Sequence, residues 1–99
     1  MQQNQFDSEL LINYWKNSSN EDFITMNTLF EGKRFSWSLF VGHLLIEKLL
    51  KALYVKINNE YPPQIHNLLR LAELSKLKLS EQDKFNFATI TAFNINTRL

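Results

Sequence analysis

The chain has 99 residues, no cysteine, 44% hydrophobic and 21% charged residues, and a net charge of +1. That length supports one small domain with its own core, and the composition is globular rather than disordered. Lack of cysteine excludes a disulfide framework, thiolate metal ligands and a cysteine nucleophile, and near-neutrality gives no overall polyanion-binding signature.

The N-terminal MQQNQFDSELL lacks the basic-then-apolar layout of a signal peptide, and no apolar run reaches bilayer-spanning length. A soluble cytoplasmic protein with no membrane partner is expected. Only two glycines and two prolines interrupt the chain, and long apolar-periodic stretches lie between them, so the fold class expected is all-α.

The first helix is expected from about Ser8 to Glu31, with Leu11, Trp15, Ser18, Asp22, Met26 and Leu29 as its inner stripe. Asp22 is the misfit there, because a carboxylate on an inner stripe needs compensation; Lys48 or Lys51 are the candidates. The polar run Asn17-Ser18-Ser19-Asn20 allows a second start at Glu21, which leaves one helix or two open. Gly32 suits the left-handed position that ends a helix.

The second helix can run from Phe35 to Ile57, and its stretch Phe40 to Ile57, apolar nearly all round, should be the most buried. Within it His43, Glu47 and Lys51 recur every four residues and stack on one face. Two readings compete: an ion ladder at the core edge, or a polar seam serving a ligand or second subunit. Between Lys33 and Lys56 the cations Lys33, Arg34, Lys48, Lys51 and Lys56 face only Glu47, a local excess suited to phosphate or simply to solvent.

Asn58 to Pro63 is a break. A third helix is expected at roughly Gln64 to Ser75, with Ile65, Leu68, Leu69 and Ala72 inward and His66 hydrogen-bonding the turn. Ser80 opens a fourth, with Asp83 three residues on as a near-match to a capping box. Its inner face is expected to be Phe85, Ala88, Ala92, Ile95 and Leu99. That stripe is still running at Leu99, so the last helix reads as truncated and the C-terminal part of a single domain, 1–99, as missing. Trp15 and Trp37 read as core or interface packing.

Chemical motifs are scarce. His43 and His66 belong to no metal-ligand cluster, and neither a glycine-rich phosphate loop nor a Gly-x-Ser-x-Gly elbow occurs, so no metal and no cofactor is expected.

The order of signals resembles the HEPN domain family of small prokaryotic helical proteins. The matching residues are Tyr14-Trp15, Asp22, Gly32-Lys33-Arg34-Phe35, Glu47-Lys48 and Lys51-Ala52-Leu53. They continue through Pro62-Pro63, Ile65-His66-Asn67-Leu68 and Phe93-Asn94-Ile95-Asn96 with Arg98, from about Leu11 to Leu99. The resemblance implies an antiparallel four- or five-helix up-and-down bundle, commonly a homodimer. It implies either a partner of a minimal nucleotidyltransferase, as in a toxin–antitoxin pair, or a metal-independent ribonuclease with an arginine and a histidine in one dimer cleft.

This chain departs from the ribonuclease pattern, since neither Arg34 nor Arg70 has a histidine at the required distance and the chain ends one residue after Arg98. The expected function is therefore a non-catalytic nucleotide-binding or accessory subunit. A metal-independent endoribonuclease toxin and a ligand-free structural dimer are the alternatives. Arg98, Lys51, Lys48 and His43 are the expected ligand-binding residues for nucleotide or RNA, and Arg98 the catalytic one if the chain cleaves RNA. Asp22, Glu47, Lys48 and Lys51 are the expected structural ion pairs. The homodimer contact is expected on the later helix, with Phe87, Phe93 and Arg98 facing outward.

Overall fold

The computed structural model describes residues 6–98, with side chains through 92. Four helices follow in order: α1 (Ser8–Glu31), α2 (Phe35–Asn58), α3 (Leu68–Leu74) and α4 (Glu81–Arg98). Among the described residues there is no strand, and the fold class is an all-α helical bundle.

The first helix is continuous, which closes the alternative of a restart at Glu21. Asp7 caps it, its Oδ1 accepting from Leu10 N–H at 3.0 Å. Ser19, buried within α1, turns its hydroxyl back onto the Lys16 carbonyl at 2.7 Å, so burial leaves no unpaired donor.

Gly32 does not take the left-handed position expected of it. Its φ is −80°, and Lys33 adopts φ 62° instead. The closing bonds explain why: Lys33 N–H reaches the Phe30 carbonyl at 3.0 Å and Arg34 N–H the Leu29 carbonyl at 2.8 Å. That paired closure requires left-handed backbone one residue beyond the cap, where this chain carries lysine. Lys76 repeats the arrangement after α3, with φ 63°.

α2 runs through the middle of the molecule. α1 packs along it on one side and α3 and α4 on the other, and among the described residues α1 touches neither α3 nor α4. The α1–α2 approach is close at Gly42, where an added Cβ would lie 3.2 Å from Met26 Sδ. Ser38 Oγ donates to the Met26 carbonyl at 2.9 Å across the same contact. A Cα radius of gyration of 14.7 Å exceeds the roughly 13 Å of a compact chain this size, because the long α1–α2 hairpin outreaches the short α3.

The apolar core is small: Leu50 from α2 with Leu68, Leu71 and Ala72 from α3, supported by Ile46, Ile65, Leu79, Phe87 and Ile90. The third helix starts at Leu68 rather than Gln64, because Asn67 Oδ1 accepts from Arg70 N–H at 3.0 Å and caps it. Ser80 and Asp83 form a complete reciprocal box, with 3.2 Å and 3.0 Å bonds, that starts α4.

The inner face expected for α4 is wrong by a rotation of one residue. Phe85, Ala88 and Ala92 are exposed, whereas Phe87 and Ile90 meet the core and Thr91 is buried. Thr91 decides the rotation: its Oγ1 accepts the Leu68 N–H at 3.2 Å, one of the orphan donors that open α3. Phe87 is thereby removed from the expected dimer contact; Ile95 and the side chains of Phe93 and Arg98 lie outside the described side chains, as does Leu99.

Candidate functional site

The polar face of α2 is its most buried face. His43, Glu47 and Lys51 retain 1%, 5% and 8% of their accessible surface, while several apolar residues of the same helix stay open. Burying a charge is costly unless each atom finds a partner, and here Glu47 supplies them. Its Oε2 accepts from Lys51 Nζ at 3.1 Å. Its Oε1 accepts from His66 Nδ1 at 3.0 Å and lies 3.4 Å from His43 Nε2.

The partners fix the tautomers. His43 Nε2 faces Oε1 and also the His66 carbonyl oxygen at 3.1 Å, both acceptors, so the proton sits on Nε2. His43 Nδ1 is buried with no partner among the described residues. His66 presents Nδ1–H to the carboxylate, so its Nε2 is turned away from Glu47 on a side chain that is 61% exposed. His66 precedes the Asn67 cap rather than lying in the first turn of α3.

These contacts act on Glu47 in opposite senses. Burial, the largest single influence, pushes its pKa up; hydrogen bonds from His43, His66 and Lys51 and the Lys51 charge together outweigh it and hold the carboxyl at about 2, against an ordinary value of 4.5. Lys51 also lies 5.1 Å from the centre of the Trp15 ring, so α1 covers the ammonium with an aromatic face. Trp15 is thus packing, while Trp37 is 60% exposed and meets Phe40 edge-on at 5.8 Å.

Of the expected ligand residues, the structure brings His43 and Lys51 together on Glu47, while Lys48 lies apart, its Nζ 2.7 Å from Asp22 Oδ2 with both side chains about one-fifth exposed. The contact is a close approach of charges rather than a well-aligned hydrogen bond. Asp22→Ala should therefore cost about 1–3 kcal/mol, between an exposed pair and a fully buried one. Denaturant unfolding checks it; an unchanged midpoint would show the pair to be idle. Arg98 belongs to α4, but its side chain lies outside the described ones.

Sequence reasoning did not join His66 to Glu47, which lies nineteen residues away, and no local spacing announces that contact. It also missed Thr91, Ser75 and Asn58, whose side chains tie helix ends: Ser75 Oγ donates to the Leu71 carbonyl at 2.8 Å, and Asn58 Nδ2 to the Leu74 carbonyl at 3.1 Å.

A second feature is apolar. Met26 and Phe30 of α1, Phe35, Leu39, Gly42 and Ile46 of α2, and Ile90 of α4 line a cleft of about 350 Å³. Among the described residues no group of three or more histidines and carboxylates is placed to hold a metal ion, and no helix is long and apolar enough to cross a membrane.

The profile of the family described as the HEPN domain matches residues 12–99, nearly the whole chain. No curated protein and no solved structure matches it. With four helices in this order and a match of that extent, the chain belongs to the HEPN domain family.

Proposed function

We propose that this HEPN-domain chain is a non-catalytic accessory subunit. It forms a homodimer and works beside a minimal nucleotidyltransferase, in a toxin–antitoxin-like pair, contributing to nucleotide binding. The observation that carries this reading is the closure of the polar seam on itself. Glu47 engages His43, His66 and Lys51, and Asp22 engages Lys48, so these groups hold helices together rather than wait for a substrate. Cations that make no ion pair among the described residues include Lys33 and Arg34 at the α1–α2 turn, and they are the better placed to meet phosphate. Arg98 remains a proposed ligand contact, and Lys48 and Lys51 with His43 support the fold.

One observation favours a second reading, a metal-independent ribonuclease. A buried carboxylate orients His66 so that its second nitrogen is free, the arrangement of a general base. A cleavage assay in EDTA separates the two. The accessory reading expects no RNA cleavage by the wild type, co-purification with a small nucleotidyltransferase, and weaker ATP binding in Arg98→Ala. Metal-free cleavage that both Arg98→Ala and His66→Ala abolish would overturn it in favour of the ribonuclease.

A further inference from the structure

Trp37, 60% exposed, stands on another face, but the remaining apolar residues of α2 that stay open are not scattered. Phe35, Leu39, Leu49 and Ile57 are open and, with the half-buried Gly42, Ile46 and Leu53 between them, recur at steps of four and three along one flank of the helix. Phe35, Leu39, Leu49 and Ile57 are 52%, 47%, 46% and 44% exposed, on the helix whose charged face is buried. The flank is about 33 Å long, and the cleft between α1 and α4 is its N-terminal half.

Two properties say what covers it. The first is the spacing, which is nearly the same read in either direction from Ile46. Turning the helix end for end sets Phe35 against Ile57, Leu39 against Leu53 and Ile46 against itself, and brings Leu49 over Gly42, where the cleft lies. A second copy of the same helix matches that pattern at every position but the Gly42–Leu49 pair, which is offset by one residue, and so suits an isologous twofold contact.

The second property is charge. Glu31, Lys33 and Arg34 stand just before α2, Lys56 in its last turn and Glu60 just after it, and all five are exposed. In an antiparallel pair the Lys56 and Glu60 end of each copy, where the two charges cancel, falls beside Lys33 and Arg34 of the other. A parallel pair would instead set Lys33 and Arg34 of one copy against the same two cations of the other, which is unfavourable.

We propose that two copies of this chain pack α2 against α2, antiparallel, about a twofold axis at Ile46, and that this flank rather than α4 is the homodimer contact. The inference rests on the dimeric part of the reading above. It adds the face, the direction and the register.

The chain has no cysteine, so introduced ones report without background. Leu39→Cys co-expressed with Leu53→Cys should form a disulfide dimer on mild oxidation at least tenfold faster than either variant alone. In this register the two cysteines of the mixed pair face each other. Two copies of Leu39→Cys would instead sit about 21 Å apart along the axis, far beyond the roughly 7 Å that a disulfide spans. As an independent readout, Leu49→Glu should convert a sedimenting dimer to monomer at tens of micromolar with helix content unchanged. A dimeric wild type whose mixed pair cross-links no faster, or whose dimer survives Leu49→Glu, would overturn this face while leaving dimerisation standing. A monomeric wild type would overturn both.

Discussion

Glu47→Ala is expected to be among the most damaging single substitutions in this chain, costing about 3–5 kcal/mol, the range for removing one partner of a buried ion pair. The reason lies in what is left behind. Lys51, 8% exposed, loses its carboxylate and keeps its charge. His43 and His66 both lose an acceptor at the same oxygen. In a domain of this size each kcal/mol moves the melting temperature by about 4–8 °C, so a fall of at least ~12 °C, or loss of a cooperative transition, is expected by calorimetry. Glu47→Gln should be milder but still harmful. One amide oxygen cannot accept from three donors, and the new NH₂ group points at another N–H.

A double substitution tests whether the cost comes from the stranded charge. Adding Lys51→Met to Glu47→Ala replaces the unpaired ammonium with an apolar chain that can still lie against Trp15. The double variant should then be more stable than Glu47→Ala alone, because an apolar replacement removes the desolvation penalty rather than adding one. Costs that simply add would mean that Lys51 reaches water once Glu47 is gone, and that the network is less dry than its burial indicates.

What was legible in the sequence follows from how local the signal was. The limits of α1 and α2 were readable because the Lys33-Arg34 turn and the Asn58-Pro63 break are local chemistry. The reciprocal Ser80–Asp83 box was readable for the same reason. Asp22 could be singled out because an acid on an apolar stripe is anomalous wherever its partner lies, and the structure sets Lys48 beside it.

The rotation of α4 was not legible. The Phe85 and Phe87 faces are both apolar enough to bury, and the choice is made by one long-range bond from Thr91 to Leu68 N–H. Nor was the inversion of α2. An apolar perimeter says that a helix is to be covered, not by what, and α3, with seven residues, is too short to cover a helix of 24. The polar seam therefore occupies the side where coverage exists, and the apolar flank is left for another surface.

Acid should unfold this protein through the same carboxylate. A folded-state pKa of about 2 against an ordinary 4.5 means that Glu47 binds its proton more weakly in the folded chain than in the unfolded one. Stability from a depressed carboxyl is fully present above the unfolded value and is lost as pH falls toward the folded one. The window is thus pH 4.5 down to about 2. Each tenfold change in proton affinity is worth about 1.36 kcal/mol, so about 3 kcal/mol of stability is lost across it. Other carboxylates titrate in the same range, so the discriminating measurement is a difference. Wild type and Glu47→Gln should differ in unfolding free energy by a constant amount above about pH 5, and their curves should converge as pH drops through the window. Parallel curves down to pH 2 would mean that Glu47 carries no depressed pKa and that its three donors contribute geometry without charge stabilisation.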